Sequence, residues 1–324
     1  MTTGALIPRT VLFGNPERLS PRISPDGKRL AYIAPHEGVL NVFVGDRVVT
    51  DDRDRGIRFF DWAHDNRHLV YVQDKGGDEN WRLYSVDLET REVVDRTPFD
   101  GVQAQPVGDS KRRPHELLVG LNKDNEQLHD VYLLDLRTGS LEKFEDNPGF
   151  IGWVADDDLQ VRAGVAPTPD GGFVVMVRDE PGAEWRPLLT VGQEDALTTQ
   201  PLGLDAAGRR LFLMTSAGAN AGRLVEVDLA SGEQTELAGD PRYDVTEVVR
   251  HPDTREPQLV GILKERLEYQ VLDQSVAADL AGLQRLHAGD LTILSRDHAD
   301  RTWIVAFSAD DGPVQYYTWD RDTQ

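Results

Sequence analysis

The segment Tyr132-Leu-Leu-Asp135-Leu-Arg-Thr-Gly139 decides the fold, because copies of its pattern recur along the whole chain. In each copy an alternating apolar run ends in an aspartate, and a polar or glycine-containing turn follows. Clear copies are Tyr84-Ser-Val-Asp87-Leu-Glu-Thr and Val225-Glu-Val-Asp228-Leu-Ala-Ser-Gly232, and a weaker copy is Tyr317-Thr-Trp-Asp320-Arg-Asp-Thr. Three further aspartates occupy the same place in their units: Asp46, Asp179 and Asp273.

These seven aspartates recur at a nearly constant spacing. They are separated by 41, 48, 44, 49, 45 and 47 residues, so seven units of about 46 residues fill the chain. This period is typical of the four-stranded blades of β-propellers, which repeat every 40–50 residues or so. An aspartate side chain can accept backbone amide protons in a turn that reverses the chain. We therefore predict hairpin residues here rather than catalytic acids.

The pattern within each unit predicts an all-β fold, a seven-bladed β-propeller with four-stranded blades. An N-terminal extension (1–16) precedes the propeller (17–324). The predicted blades are roughly 17–55, 56–99, 100–147, 148–192, 196–240, 243–287 and 288–324. One helix is expected at Ser275–Leu286, with Ser275 as its N-cap, where it replaces or precedes the outer strand of the sixth blade.

The seventh unit has room for only three strands. Either the segment Leu6–Phe13 supplies the fourth, or the blade stays incomplete with an open edge. Pro8 makes that segment acceptable only as an edge strand. Because an open outer edge favours aggregation, we expect the chain to be truncated at a domain boundary, without a catalytic domain.

Composition excludes several classes of function. The formal net charge of -21 argues against nucleic acid as a partner, since phosphates would be repelled. This charge fits either a solvated surface or an acidic cavity that attracts cationic peptides or amines. No apolar run is long enough to cross a membrane, and the chain has no cysteine. A cytoplasmic protein is the simplest expectation.

The sequence lacks recognisable catalytic machinery. It has no Gly-x-Ser-x-Gly nucleophile elbow, no His-Glu-x-x-His zinc motif and no phosphate-binding glycine loop. We therefore expect no catalytic, cofactor-binding or metal-binding residue in this chain and no activity from it alone. The acidic runs Asp51–Asp54 and Asp156–Asp158 lack the ligand spacing of calcium loops.

One loop is a candidate contact site. Asp78, Glu79, Asn80 and Trp81 lie between the predicted second and third strands of blade two, on the face that also carries the links between blades. Their polar groups could contact a ligand or a partner domain. A related run at Lys123–Gln127 occupies the same place in blade three, which equally favours a structural role in ordering the loop.

Several segments, in this order, resemble the prolyl oligopeptidase (S9) family of serine peptidases. They include Pro16–Tyr32, Gly77–Trp81, Phe173–Arg178, Asp240–Asp244 and Arg301–Pro313. The resemblance covers the whole chain and is closest to the bacterial acylaminoacyl-peptidase-like branch. It implies a partner, an α/β-hydrolase catalytic domain that follows the propeller and carries the serine, aspartate and histidine. It also implies that the propeller filters substrates, admitting short peptides. No catalytic residue can be carried over to this chain.

Two other hypotheses remain open at this point. The chain could be a stand-alone binding or scaffold propeller, with a ligand in the central channel or on the face that carries Asp78–Trp81. It could also be a propeller-borne lyase or lactonase. Such enzymes need a central metal, for which Asp61 and Glu247 are the plausible inner-strand ligands.

Overall fold

The computed structural model describes residues 7–324 and consists almost entirely of antiparallel strands. Seven separate sheets follow one another in chain order, and each contains only strands that are consecutive in sequence. Together they form a seven-bladed β-propeller. The predicted fold class is therefore confirmed.

The first three sheets each have four strands. Blade 1 contains β1 (Leu19–Ile23), β2 (Leu30–His36), β3 (Val39–Val44) and β4 (Arg47–Val48). Blade 2 contains β5 (Phe60–Trp62), β6 (His68–Gln73), β7 (Arg82–Asp87) and β8 (Val93–Asp95). Blade 3 contains β9 (Ala104–Asp109), β10 (Glu116–Asn125), β11 (Leu128–Asp135) and β12 (Leu141–Glu145).

The next two sheets are also four-stranded. Blade 4 contains β13 (Gly152–Ala155), β14 (Val161–Pro167), β15 (Phe173–Val177) and β16 (Arg186–Val191), followed by a 3-10 turn at Gln193–Asp195. Blade 5 contains β17 (Gln200–Leu204), β18 (Arg210–Thr215), β19 (Arg223–Asp228) and β20 (Gln234–Ala238).

Blades 6 and 7 have three strands each. Blade 6 contains β21 (Val245–Arg250), β22 (Pro257–Leu263) and β23 (Leu267–Val271). A 3-10 turn at Gln274–Val276 and helix α2 (Ala277–Leu286) stand in the place of its fourth strand. Blade 7 contains β24 (Asp290–Arg296), β25 (Thr302–Ser308) and β26 (Gln315–Asp320).

Residues 7–13, which lie before blade 1, do not complete blade 7. Residues Arg9–Phe13 form a short helix, α1, whose apolar side chains are exposed, among them Phe13 at 77%. Closure of the last blade by a strand at Leu6–Phe13 is therefore wrong for residues 7–13, and Leu6 lies outside the described residues. Blade 7 is the incomplete blade that the sequence allowed as the alternative.

The repeated aspartates do hold turns. Asp87, Asp135 and Asp228 each accept backbone amide protons from residues two and three positions later, at 2.8 to 3.3 Å. Asp320 accepts the amide of Thr323 at 2.9 Å. The hydrogen bond from the backbone amide of Ser231 is the main reason that the pKa of Asp228 lies below its usual range. The predicted structural role is thus confirmed for these four.

The other three aspartates behave differently. Asp273 accepts the amide of Ser275 and caps the 3-10 turn, so the predicted N-cap role of Ser275 is wrong. Asp179 instead accepts from the guanidinium of Arg186 at 2.7 Å. Asp46 has no side-chain hydrogen bond to any other residue between 7 and 324, and it forms a two-residue turn with Gly45, which has a left-handed backbone.

Apolar side chains pack between neighbouring blades. Ile33 and Val42 of blade 1, for example, meet Leu69 and Val86 of blade 2, and all four are fully buried. The same arrangement recurs between the other blades because alternate residues of a strand point to opposite faces of its sheet. This leaves the first strand of each blade to line a central channel.

The ring is closed by contacts between blades 1 and 7 that involve no shared strand. The amide of Ile23 donates to Ser295 Oγ at 3.1 Å, and the amide of His298 donates to the carbonyl of Pro25 at 2.8 Å. Blades 1 and 7 are therefore neighbours, as a closed seven-membered ring requires.

None of the helices in residues 7–324 has the length and apolar character needed to span a bilayer.

Candidate functional site

The channel has two ends, which are formed by different connections between the strands. In an antiparallel sheet, successive connections lie at opposite ends of the strands. We call the end formed by the turns between the first and second strands of the blades the turn face. The opposite end, formed by the loops between the second and third strands and by the links between blades, is the loop face. Asp78–Trp81 lies on the loop face, between β6 and β7.

Ion pairs cross the channel mouth on the turn face. Lys111 of blade 3 contacts the carboxylate of Asp253 in blade 6, and Arg255 of blade 6 lies 3.1 Å from Asp157 of blade 4. Blades 3 and 6 are not neighbours in a seven-membered ring, and neither are blades 4 and 6. Bonds between their turns must therefore span the mouth. These side chains narrow the channel at this end.

A histidine pair lies beside these bridges. His64 Nδ1 of blade 2 is 2.8 Å from His298 Nε2 of blade 7, and His64 Nε2 is 2.6 Å from a carboxylate oxygen of Asp109 in blade 3. Burial lowers the pKa of His298. Burial alone would raise the pKa of Asp109, but the contact with His64 lowers it overall. The Nε2 of a neutral His298 can therefore accept a hydrogen bond from His64 Nδ1.

The inner strands of blades 1, 2 and 3 enclose a cavity of about 420 Å³. Its wall is largely apolar, but three charged side chains reach it: Arg22, Asp61 and Asp109. Desolvation by the surrounding strands raises the pKa of Asp61, although Arg22 opposes this rise.

The two proposed inner-strand metal ligands do not converge. Glu247 accepts a hydrogen bond from the Tyr269 hydroxyl at 2.8 Å, and burial raises its pKa. Asp61 lies in blade 2 and Glu247 in blade 6. Within residues 7–324, no three histidine, aspartate or glutamate side chains are grouped as a metal site would require.

The predicted contact loop is held in place by its own carboxylates. Asp78 Oδ1 accepts the amides of Lys75 and Asn80 at 3.2 and 3.1 Å. The buried Asp74 accepts the Glu79 amide at 3.4 Å and pairs with Arg55 at 3.2 Å. The loop is thus ordered without a ligand.

The four candidate residues differ in what they present. Asp78 and Glu79 are exposed, whereas Asn80 and Trp81 are partly buried. Trp81 lies just before β7, and its carbonyl accepts the amide of Ala104 in blade 3 at 2.7 Å. Glu79 has a left-handed backbone (φ 59°). Its carboxylate has no partner among the described residues. The loop therefore presents one free carboxylate on the loop face.

The sequence did not reveal the bridges on the turn face. Arg255 and Asp157 are 98 residues apart, and nothing local indicates their contact. One signal was available, because a charged residue occurs in the first turn of every unit, from Asp26 to Asp297. Only the ring geometry shows which of these charges meet.

No family model matches the chain. Among curated proteins it is 41% identical, over 98% of its length, to dipeptidyl aminopeptidase BIII of Pseudoxanthomonas mexicana, of which it covers 47%. It is 28% identical, over 98% of its length, to dipeptidyl peptidase family member 6 of Caenorhabditis elegans, of which it covers 46%. The chain thus spans about half the length of these relatives.

Solved structures agree in fold. Prolyl oligopeptidase B from Galerina marginata superposes with a TM-score of 0.63 at 10% identity, over 95% of this chain and 49% of that one. The chain therefore has a β-propeller fold, and over nearly its whole length it is similar to about half of a dipeptidyl aminopeptidase.

Proposed function

We propose that this propeller is the substrate-filtering domain of an S9-type serine peptidase that acts on short peptides. Its partner is an α/β-hydrolase catalytic domain, and the propeller alone is inactive. The observation that carries the proposal is the 41% identity over 98% of the chain to a dipeptidyl aminopeptidase, of which the chain spans 47%. No Gly-x-Ser-x-Gly elbow occurs in this sequence, so the nucleophile must come from the partner.

The geometry of the channel supports a filtering role. On the turn face, Lys111–Asp253 and Arg255–Asp157 span the mouth, so a folded protein cannot pass there. On the loop face, Asp78, Glu79, Asn80 and Trp81 form an ordered loop at the channel rim, where we place the contact with the hydrolase domain or a peptide. The absence of cysteine favours a cytoplasmic location for the enzyme.

The test joins residues 1–324 to an α/β-hydrolase domain of the family. The joined protein is assayed on dipeptidyl and aminoacyl p-nitroanilides with and without a fluorophosphonate, which modifies an activated serine. We expect hydrolysis by the joined protein, loss of hydrolysis with the fluorophosphonate, and no hydrolysis by the propeller alone. A properly folded joined protein that hydrolyses none of these substrates would contradict the proposal. Recovery of a distinct binding partner would then favour the scaffold hypothesis.

A further inference from the structure

The cavity between blades 1, 2 and 3 is part of the channel wall. The burial of β5 and its preceding residue alternates: Phe59 and Asp61 are exposed, whereas Phe60 and Trp62 are buried between blades. Because alternate residues of a strand point to opposite faces, Phe59 and Asp61 lie on the same face, and both line the cavity. Val107 on β9 completes this wall from blade 3.

Asp61 shares its cavity with the charge of Arg22 but is not directly paired with it. Its carboxylate accepts one hydrogen bond, from the adjacent Trp62 amide at 2.8 Å, and it forms no ion pair within residues 7–324. The nearby Arg22 is directed elsewhere, since its guanidinium donates to the Leu294 carbonyl of blade 7. The second carboxylate of the cavity, Asp109, is engaged by His64. The carboxylate of Asp61 is thus left without an ion-pair partner beside a largely apolar cavity wall.

The aromatic ring of Phe59, next to Asp61, suits a cationic ligand, as the carboxylate does. Phe59 is 65% exposed, which is unusual for a phenylalanine, and it shares the channel side of the strand with Asp61. An aromatic face attracts a cation and also packs against an apolar stem. The volume of about 420 Å³ lies within the range of small-molecule sites.

The bridges from Lys111 and Arg255 narrow the turn-face mouth, which favours entry of a ligand from the loop face. The net charge of -21 attracts cations to the chain in general.

We propose that this cavity binds an organic cation carried by a peptide, namely an ammonium or guanidinium group on an apolar stem. The carboxylate of Asp61 accepts hydrogen bonds from the cation, and the ring of Phe59 contacts the apolar stem. The inference goes beyond the proposed peptidase role because it concerns binding by the propeller itself. Binding can therefore fail while hydrolysis by the joined protein persists, and the reverse also holds.

The test uses three peptides that differ in which cation they carry. Acetyl-Phe-Arg-amide carries a side-chain cation, Phe-citrulline-amide carries an N-terminal ammonium, and acetyl-Phe-citrulline-amide carries neither. Citrulline has the size of arginine without its charge. Binding to residues 1–324 is measured by calorimetry. Salt at about 0.15 M screens the general attraction of the acidic surface.

At least one charged peptide is expected to bind about tenfold or more tightly than the neutral one. Asp61→Asn should remove this preference, and Phe59→Ala should weaken binding of the charged peptide several-fold. Glu194→Gln is the matched control, because Glu194 is an exposed acid on the loop face and lies outside the cavity. It changes the net charge equally and should leave the preference intact.

Two results would overturn the proposal. One is equal affinity for the charged and neutral peptides. The other is a charge preference that survives in a folded Asp61→Asn variant or disappears in Glu194→Gln. If Asp61→Asn does not fold, the comparison of the three peptides on the unmodified chain, together with Phe59→Ala, still decides the matter.

Discussion

Arg321, just after the last strand of blade 7, donates from Nε to the buried carboxylate of Asp279 on helix α2 at 2.9 Å. Its Nη1 donates to Asp300, also buried, at 2.6 Å. The guanidinium thus ties the outer part of blade 7 to the helix of blade 6. This contact links blades 6 and 7, which have three strands each and share no strand among the described residues.

A tryptophan completes this junction. The indole of Trp303 contacts the guanidinium groups of both Arg296 and Arg321, at 5.3 and 5.0 Å from its ring centre, and its Nε1 donates to Asp300 at 2.7 Å. Each charge is paired, which removes most of the cost of burying it.

Replacement of Arg321 should therefore destabilise the propeller strongly. Arg321→Ala leaves the buried carboxylate of Asp279 without a cation, whereas Asp300 keeps Arg296 at 3.0 Å, and we expect the free energy of unfolding to fall by about 3 kcal/mol. Chemical denaturation of the purified chain measures this. Arg301→Ala is the control, since Arg301 pairs with Asp322 on the exposed surface and its loss should matter far less. Equal losses would show that the junction has no special role.

The turn aspartates should differ in importance as their hydrogen bonds differ. Asp135 accepts the amides of Arg137 and Thr138 at 2.8 and 3.2 Å. Asp135→Ala should lower the free energy of unfolding by about 1 kcal/mol. Asp46→Ala, at the equivalent place in blade 1, removes no side-chain hydrogen bond seen among the described residues. It should leave the melting temperature unchanged. The account of the repeat fails if the two variants melt alike.

Stability should depend on pH through His298. Burial lowers the pKa of His298 in the folded chain, with His64, Asp253, Lys111 and Arg255 as its charged neighbours. In the unfolded chain the imidazole of His298 is protonated near the ordinary histidine pKa of about 6.5. The stability that depends on a neutral His298 is therefore fully present above about pH 6.5. It is lost as the pH falls through the lower pKa that His298 has in the folded chain.

Denaturation curves at several pH values check this expectation. His298→Gln should reduce the loss of stability between about pH 7.5 and 5.5, the range around the ordinary histidine pKa. Some pH dependence should remain, because burial also lowers the pKa of His129. An unchanged pH profile in His298→Gln would contradict the expectation that protonation of His298 destabilises the folded chain.

The fold was predictable because its signals are local. An aspartate such as Asp135 bonds to amides only two and three residues away, so the turn is visible in the sequence at every repeat. Helix α2 was also predictable, since Leu280 and Leu283 share a face, and both are buried. The N-cap residue was not predictable, because Asp273 and Ser275 both suit that role and only the backbone conformation decides between them.

The candidate site was only partly predictable. The loop Asp78–Trp81 was found from its polar residues and its place between two strands. The Lys111–Asp253 bridge and the Asp61 cavity were not, because they depend on which blades face each other across the ring. Strand alternation places Asp61 on the same face as Phe59, but only the assembled propeller shows that Asp61 lines a cavity and forms no ion pair among the described residues.

One measurement tests the filtering role most directly. The protein that joins this propeller to an α/β-hydrolase domain is given a short peptide and, separately, the same sequence placed in an exposed loop of a stable folded protein. The account predicts rapid cleavage of the free peptide and cleavage of the folded substrate only after that substrate has been unfolded. Cleavage of both at similar rates would contradict the claim that this propeller filters substrates.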